Sequence, residues 1–174
     1  MGDSGEYSSQ FFGEAVAEFM RLPGVGRKSA QRYALHMLGR PIEERKRFIA
    51  AIQRFLEEVQ HCPECHGLSD DGGVCSICAS RSRDRAILCV VADTRDVMAI
   101  EHSQSYRGLY YVMGGLIDPM QGIGPSQLPI DQLLSTIVGK GIREVILAFG
   151  ATMEGDTTQF YLQRCIAPTG VTIS

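Results

Sequence analysis

The sequence predicts an α+β protein in three parts: an N-terminal helical unit, a short four-cysteine segment, and an α/β domain with a largely parallel sheet. In the first sixty residues, apolar side chains recur at helical spacing. Two Cys-x-x-Cys pairs follow, and short apolar runs then alternate with helical stretches. We therefore divide the chain into residues 1–60, 61–80 and 81–174.

The first part predicts three amphipathic helices whose inward positions are apolar. The segment Leu22-Pro-Gly-Val-Gly26 breaks the first helix, the second begins near Lys28, and Gly39 and Pro41 end it. The predicted inward residues are Phe12, Val16, Phe19 and Met20, then Ala30, Ala34, Met37 and Leu38, then Phe48, Ile52, Phe55, Leu56 and Val59.

The last part predicts a parallel sheet with helices on both faces, because strand-like runs and helical stretches alternate. The strand candidates are residues 87–91, 109–113, 145–149 and 171–173. The helix candidates are residues 95–103, 130–140 and 157–166. A passage rich in glycine and proline, residues 114–129, is the predicted long loop.

Charge is distributed unevenly along the 174 residues. The formal net charge is −3, yet residues 21–47 contain eight basic and two acidic side chains, a local balance of +6 that leaves −9 for the rest. This asymmetry predicts one face for phosphates and another for a basic protein, with a solvated helix surface as the alternative. No apolar stretch or N-terminal pattern is typical of a membrane span or a secretory signal, so we expect a cytoplasmic, nucleoid-associated protein without membrane contact.

The four clustered cysteines, Cys62, Cys65, Cys75 and Cys78, predict a structural zinc site. Two residues between the thiols of a pair let both sulfurs reach one ion, and a glycine-rich spacer lets the second pair fold back. Redox-active pairs and two disulfides are the alternatives, and a reducing compartment disfavours the disulfides. His61 and His66 flank the first pair and are alternative ligands, whereas Cys89 and Cys165 are interpreted as packing residues.

The segment from Leu22 to Arg32 looks like a helix-hairpin-helix that binds DNA through its phosphates. Gly24 and Gly26 let the backbone approach a phosphate, the first amides of the next helix point at it, and Arg27, Lys28 and Arg32 add positive charge. A nucleotide P-loop is excluded because Arg27 separates the glycine from the lysine and a helix precedes it. A hairpin without a ligand is the alternative.

Glu154-Gly-Asp156 follows a predicted strand and precedes a predicted helix, at the edge where α/β domains place their sites. Taken in order, the hairpin, the cysteine pairs and four later segments resemble the RecR family of bacterial recombination mediators, over nearly the whole chain. Those segments are Arg81-Ser-Arg-Asp-Arg85, Tyr106-Arg-Gly-Leu-Tyr110, Gly122-Ile-Gly-Pro125 and Glu154-Gly-Asp156.

The resemblance implies a helix-hairpin-helix, a zinc finger with one structural Zn²⁺, a domain of the Toprim fold shared by topoisomerases and primases, and ring-shaped homo-oligomers, dimeric or tetrameric. It places Lys28 and Arg32 at positions associated with DNA contact, and Glu154 and Asp156 in a region associated with the partner RecO. It implies no catalysis, and the residues agree. Catalytic Toprim domains carry a glutamate at the end of the first strand, where this chain has Ala92.

We therefore expect a non-enzymatic DNA-binding clamp or adaptor that acts in recombinational repair on double- and single-stranded DNA without sequence preference. With RecO or RecF it would help load recombinase onto single-stranded DNA. The alternatives are a Mg²⁺-dependent Toprim nuclease or strand-transfer enzyme using Asp93, Glu154 and Asp156, and a scaffold that touches no DNA. The family continues past Ile173 into a terminal element that builds subunit contacts, whereas this sequence ends at Ser174, a difference that bears on ring assembly.

Overall fold

A computed structural model describes residues 7–174 of the chain. They divide into two compact units, one extending through Glu57 and the other spanning Glu58–Ser174. The cysteine-rich segment belongs to the second unit together with the sheet. No helix in the described range is long and apolar enough to cross a membrane.

The first unit contains three helices: α1 (Gln10–Met20), α2 (Arg27–Leu38) and α3 (Ile42–Glu58). The Ser9 hydroxyl caps α1 by accepting a hydrogen bond from the Phe12 amide at 3.3 Å. Helices α1 and α2 form a hairpin whose buried residues are Val16, Ala30 and Ala34. The small alanine side chains let the two helices approach closely.

Six apolar positions of this unit that were predicted to face inward are exposed: Met20, Leu38, Phe48, Ile52, Phe55 and Leu56. Leu38, predicted to face inward, is 63% exposed. Helix α3 has the predicted amphipathic pattern, but it contains no buried residue, and Leu56 on its apolar face is 71% exposed. A hairpin core built on two alanines offers too little surface to cover three apolar helix faces. Between α1, α2 and α3 lies a groove of about 470 Å³, with Phe12, Phe19 and Phe48 in its lining.

The second unit begins with a short antiparallel ladder of β1 (Gln60–His61) and β2 (Leu68–Ser69), followed by the one-turn helix α4 (Ser76–Ala79). The main sheet contains β3 (Asp84–Val91), β4 (Gly108–Val112), β5 (Glu144–Ala148) and β6 (Thr172–Ile173). All its pairs are parallel, and the strand order is β4-β3-β5-β6. Helices α5 (Thr94–Ser103), α6 (Ile130–Gly139) and α7 (Met153–Ile166) connect the strands.

The sheet is covered on both faces, as the continuous apolar runs predicted. Alternate residues of β3 point to opposite sides. Leu88 and Val90 pack in one core with residues of α6 and α7, and Cys89 and Val91 pack in another with Val97 of α5. This arrangement buries β3 completely over its last four residues.

Helix α7 begins at Met153, four residues before the predicted start at 157. The Thr152 hydroxyl caps it by accepting a hydrogen bond from the Gly155 amide at 3.1 Å. Glycine is required at 155, because a Cβ there would lie 2.1 Å from the carbonyl oxygen of Gly150. Glu154 and Asp156 therefore occupy the first helical turn and do not precede the helix.

The loop of residues 114–129 is ordered by two short 3₁₀ turns, Pro119–Gln121 and Pro125–Gln127. The Asp118 carboxylate accepts hydrogen bonds from the amides of Met120 and Gln121 at 3.0 and 3.2 Å. At the start of the loop, the Ile117 amide donates to the Thr158 hydroxyl at 2.8 Å. This bond fixes the loop to α7 at the carboxyl edge of the sheet.

Candidate metal centre and nucleic-acid interface

The four clustered cysteines come together as the spacing predicted. The sulfurs of Cys62, Cys65, Cys75 and Cys78 all lie within 4.8 Å of one another, and the Cys65 and Cys75 sulfurs are 3.6 Å apart. Tetrahedral zinc with Zn–S bonds of about 2.3 Å places its ligand sulfurs roughly 3.8 Å from each other. The cluster has the dimensions of a closed, four-thiolate zinc site.

Local hydrogen bonds favour the thiolate form of Cys65, whereas burial raises the pKa of Cys75, and the hydrogen bond with Cys65 and burial raise that of Cys78. The Cys78 thiol, and to a smaller degree the Gly67 amide at 3.4 Å, lower the pKa of Cys65 to about 5. The Cys75 amide donates to the Cys62 sulfur at 3.3 Å. The thiolate is the form that binds metal, so the donors at Cys65 favour its role as a zinc ligand.

The two flanking histidines lie outside the cluster. Nδ1 of His61 is 2.9 Å from the carbonyl oxygen of His66, and the His66 ring lies against the ring of Tyr111, with centroids 4.9 Å apart. Cys89 is buried in β3, where burial raises its pKa to about 11, and Cys165 is half-buried on α7. Across the described residues, the ligand group consists of the four clustered cysteines.

The hairpin between α1 and α2 contains a tight turn that glycine makes possible. The Val25 amide donates to the Leu22 carbonyl at 3.1 Å, and Gly24 adopts φ +77°. Proline at the second position and a left-handed glycine at the third are typical of a type II turn. A Cβ at Gly24 or Gly26 would meet nothing within 4 Å, so the surface at both residues is open.

The N-terminus of α2 combines unsatisfied amides with positive charge. Gly26 is the N-cap, and no side chain caps the first turn. Arg27, Lys28 and Arg32 are exposed, and the Arg32 guanidinium lies 5.4 Å from the ring centroid of neighbouring Tyr33. Helix N-termini of this kind bind anions, because the amides and the helix dipole both favour negative charge.

Three acidic residues lie at the carboxyl edge of the sheet: Asp93, Glu154 and Asp156. Asp93 caps α5 by accepting from the Arg95 amide at 2.6 Å, and its ion pair with the Arg95 side chain lowers its pKa. Hydrogen bonds from its own amide and from the Thr152 hydroxyl lower the pKa of Glu154, and Asp156 is exposed. In residues 7–174 these three carboxylates do not make a group of close ligand atoms.

A network that the sequence pattern did not predict links β4 to α5. Arg83 forms an ion pair with Glu101, and the Tyr110 hydroxyl donates to the same carboxylate at 2.7 Å. The pKa of Glu101 is lowered, chiefly by the hydrogen bond from Arg83. The sequence marks Arg83 only as part of Arg81-Ser-Arg-Asp-Arg85, one of the segments that carry the family resemblance, because no local spacing connects it with Glu101, eighteen residues away.

Three family models together match most of the chain. The RecR helix-hairpin-helix model matches residues 12–56, the RecR four-cysteine zinc finger model matches 59–80, and the Toprim domain model matches 86–174. Proteins named Recombination protein RecR are similar over 169 residues, or 97% of this chain. Identity is 51% in Porphyromonas gingivalis, covering 81% of the relative, and 47% in Bacteroides fragilis and 43% in Flavobacterium johnsoniae, each covering 82%.

The fold and the metal site together define a zinc-finger protein that combines a helix-hairpin-helix with a Toprim domain. Its four cysteines form a structural zinc site in which every ligand position is filled by the protein. With about half of its residues identical to those of relatives of which it covers about four-fifths, the chain belongs to the RecR family.

Proposed function

We propose that this protein is a non-enzymatic DNA-binding clamp or adaptor in recombinational DNA repair. The observation that carries the proposal is the uncapped N-terminus of α2, with Lys28 and Arg32 exposed beside the open turn at Gly24 and Gly26. The names of the relatives support a role in recombination. We propose in addition that this recombination role serves DNA repair.

The chemistry of the hairpin favours phosphate contact without base reading. Backbone amides and flexible cations bind the sugar–phosphate backbone, which is common to double- and single-stranded DNA. Affinity should therefore depend little on sequence and fall steeply with salt. Each neutralised phosphate contributes about 0.7–0.9 to the slope of log K against log salt concentration.

A charge-removal experiment tests the DNA surface. In Lys28→Ala/Arg32→Ala, the salt slope should fall by roughly 1.4–1.8 for each hairpin engaged, because two phosphate contacts are lost. Titration of labelled duplex and single-stranded DNA at several salt concentrations measures it. Arg107→Ala/Arg143→Ala removes the same charge at exposed positions of the second unit and should bind as wild type. Unchanged binding by the hairpin variant would reject this surface as the DNA contact, whereas a wild-type protein that shows no salt-sensitive binding would be a scaffold that touches no DNA.

The absence of catalysis is a separate part of the proposal. Ala92 stands where catalytic Toprim domains carry a glutamate, and the Asp93 carboxylate is already engaged by Arg95 and the first turn of α5. We expect no cleavage or strand transfer when the purified protein is incubated with DNA and Mg²⁺. Metal-dependent cleavage that Asp156→Asn abolishes would instead establish the enzyme.

Partner binding is assigned to the acidic first turn of α7. Glu154 and Asp156 lie next to exposed Met153, a combination suited to a partner surface with basic and apolar residues. We propose that RecO, or RecF, binds here and that the complex loads recombinase onto single-stranded DNA. Glu154→Gln/Asp156→Asn should weaken capture of purified RecO, whereas Asp70→Asn/Asp131→Asn, with the same charge change elsewhere, should not. Equal capture of RecO by both variants would mean that the partner binds elsewhere on the protein.

Self-association is the last part of the proposal. The apolar face of α3, including Phe48, Ile52, Phe55 and Leu56, is exposed in the single chain. A run of this kind on one helix face is typical of a protein–protein contact. It supports a homo-oligomer, a dimer or a tetrameric ring, in which the hairpins of several chains act on one DNA molecule.

A further inference from the structure

The edge strand β4 is covered by the zinc finger, defined here as residues 59–80. On one side β4 pairs with β3, and on the other side the Val112 amide donates to the carbonyl oxygen of Cys65 at 2.8 Å. An edge strand otherwise presents unpaired backbone groups. A metal ligand residue thus supplies a backbone acceptor to the edge of the sheet.

The first cysteine pair lies against one face of the sheet. The His66 ring packs on Tyr111, with centroids 4.9 Å apart, and His66 takes the unusual backbone angle φ +62°. Glu64, between the two cysteines, forms an ion pair with Lys140 at the end of α6. Tyr111 and α6 both belong to the core on that face.

The second cysteine pair lies against the opposite face. Ile77, between Cys75 and Cys78, packs against the cluster that contains Tyr110 and Val112. The carbonyl oxygen of Cys78 accepts a hydrogen bond from Arg85 of β3 at 3.1 Å. Because Tyr110 and Tyr111 are consecutive in a strand, they point to opposite faces, and the two cysteine pairs straddle β4.

From this geometry we infer that the zinc finger is a clasp on β4, and that zinc occupancy controls the order of β4 and of the loop at residues 114–129. The buried apolar cluster inside the finger consists of its own cysteines, so metal binding supplies the free energy that holds the finger in shape. Without the ion, the contacts to Val112, Tyr111 and Lys140 lose their rigid support.

The effect extends beyond the finger because β4 continues directly into the loop. The Met113 amide donates to Val91 at 2.9 Å, and the loop is then fixed to α7 by Ile117 and Thr158. Zinc loss is therefore transmitted along the chain to the carboxyl edge of the sheet. The first unit does not take part, since α1 and α2 have their own core.

Hydrogen exchange of the full chain tests the clasp directly. Zinc-loaded protein is compared with protein stripped by a chelator, with metal content measured on both samples. Amides of residues 109–117 should exchange at least about tenfold faster after zinc removal, while those of α1 and α2 keep their rates. Faster exchange throughout Glu58–Ser174 would also support the coupling. Unchanged exchange in β4 after verified zinc loss would overturn it.

A reciprocal experiment uses the ion pair that joins the finger to α6. If zinc binding stabilises the clasp, the contacts of the clasp must strengthen zinc binding by the same factor. Loss of those contacts should therefore lower the zinc affinity. Glu64→Gln and Lys140→Met should each lower zinc affinity about two- to fivefold, measured by competition with a chromophoric chelator, and the double variant should lower it no further. Arg143→Met is the control for charge loss at an exposed position. Additive losses, or none, would contradict a clasp at this pair.

Discussion

In the second unit, individual side chains are paired with residues that are distant in the sequence. Arg83 is almost enclosed, with 10% of its side chain exposed, and its charge is balanced by Glu101. Tyr110 completes the pair by donating to the same carboxylate. Removal of the Glu101 carboxylate would leave the partly buried Arg83 cation without a compensating negative charge.

The Glu101 ion pair should make stability depend on pH. The pKa of Glu101 is lowered in the folded state, so its contribution is fully present above the unfolded value of about 4.3 and is lost as pH falls through the folded value. Glu101→Gln should lower the free energy of unfolding by about 1–3 kcal/mol at pH 7. Urea unfolding of both proteins across pH 7 to 3 measures the difference, which should shrink below about pH 4.3. A difference that stays constant would contradict this role.

Removal of one clustered thiol should release the metal. In Cys75→Ser, zinc affinity should fall roughly 100-fold or more, since even changes outside the ligand set cost 10–100-fold, and solubility should drop with it. Metal analysis of purified protein gives the zinc content per chain. Cys165→Ser makes the same chemical change on α7 and should retain zinc. Full zinc in the Cys75 variant would remove that residue from the ligand set.

At the level of whole elements, the helices differ in what fixes their ends. The N-cap of α2 is Gly26, which has no side chain to bind the first amides, whereas α7 is capped by the Thr152 hydroxyl and its Gly155 lies close to the Gly150 backbone. The first arrangement suits an anion, and the second holds the acidic turn of α7 in a fixed position. The two helix starts thus match the two proposed binding functions.

A pair of glycine substitutions tests the fixed start of α7. Gly155→Ala should destabilise the protein by about 1–3 kcal/mol, because the new Cβ would collide with the Gly150 backbone. Gly139→Ala, on α6 with nothing within 4 Å of its Cβ, should instead be neutral or stabilise by up to about 1 kcal/mol. Thermal unfolding of both variants checks the contrast. Equal effects would mean that the contact at Gly155 carries no strain.

The helices of the first unit have more apolar surface than the described part of the chain buries. Among its described residues, the first unit's buried core consists of Val16, Ala30 and Ala34, while α3 exposes its apolar face and a groove lies between the three helices. Burial of such a face in a second chain would remove apolar area from water and stabilise the helix. The proposed assembly would therefore add to the stability of this unit.

Light scattering tests assembly through α3. Phe55→Gln/Leu56→Gln should lower the mass in solution relative to wild type, because both side chains lie on the exposed apolar face. Val138→Gln changes an exposed apolar residue of α6 and should leave the mass unchanged. A wild-type mass equal to one chain would exclude the homo-oligomer under those conditions. An unchanged oligomer in the α3 variant would place the contact elsewhere.

The amino-acid pattern by itself determined the order of elements, the four thiols and the hairpin. These features are local: Cys-x-x-Cys spacing, Leu-Pro-Gly-Val-Gly and apolar periodicity each act over a few residues. The pattern predicts the start of α7 four residues late, since Glu-Gly-Asp is typical of a turn unless a neighbouring backbone requires glycine. It predicts Leu38 inside because periodicity identifies an apolar face but not the surface that covers it.

The tertiary structure alone decided which residues meet across long distances. Arg83 with Glu101, Glu64 with Lys140, and Cys65 with Val112 are joined only after the sheet has brought their elements together. It also decided that, within the described part of the chain, Asp93, Glu154 and Asp156 form no close ligand group, although they share one edge of the sheet. The physical reason is range: hydrogen-bonding and helical propensities act between near neighbours, whereas these contacts depend on how the strands pair and how the helices pack upon them.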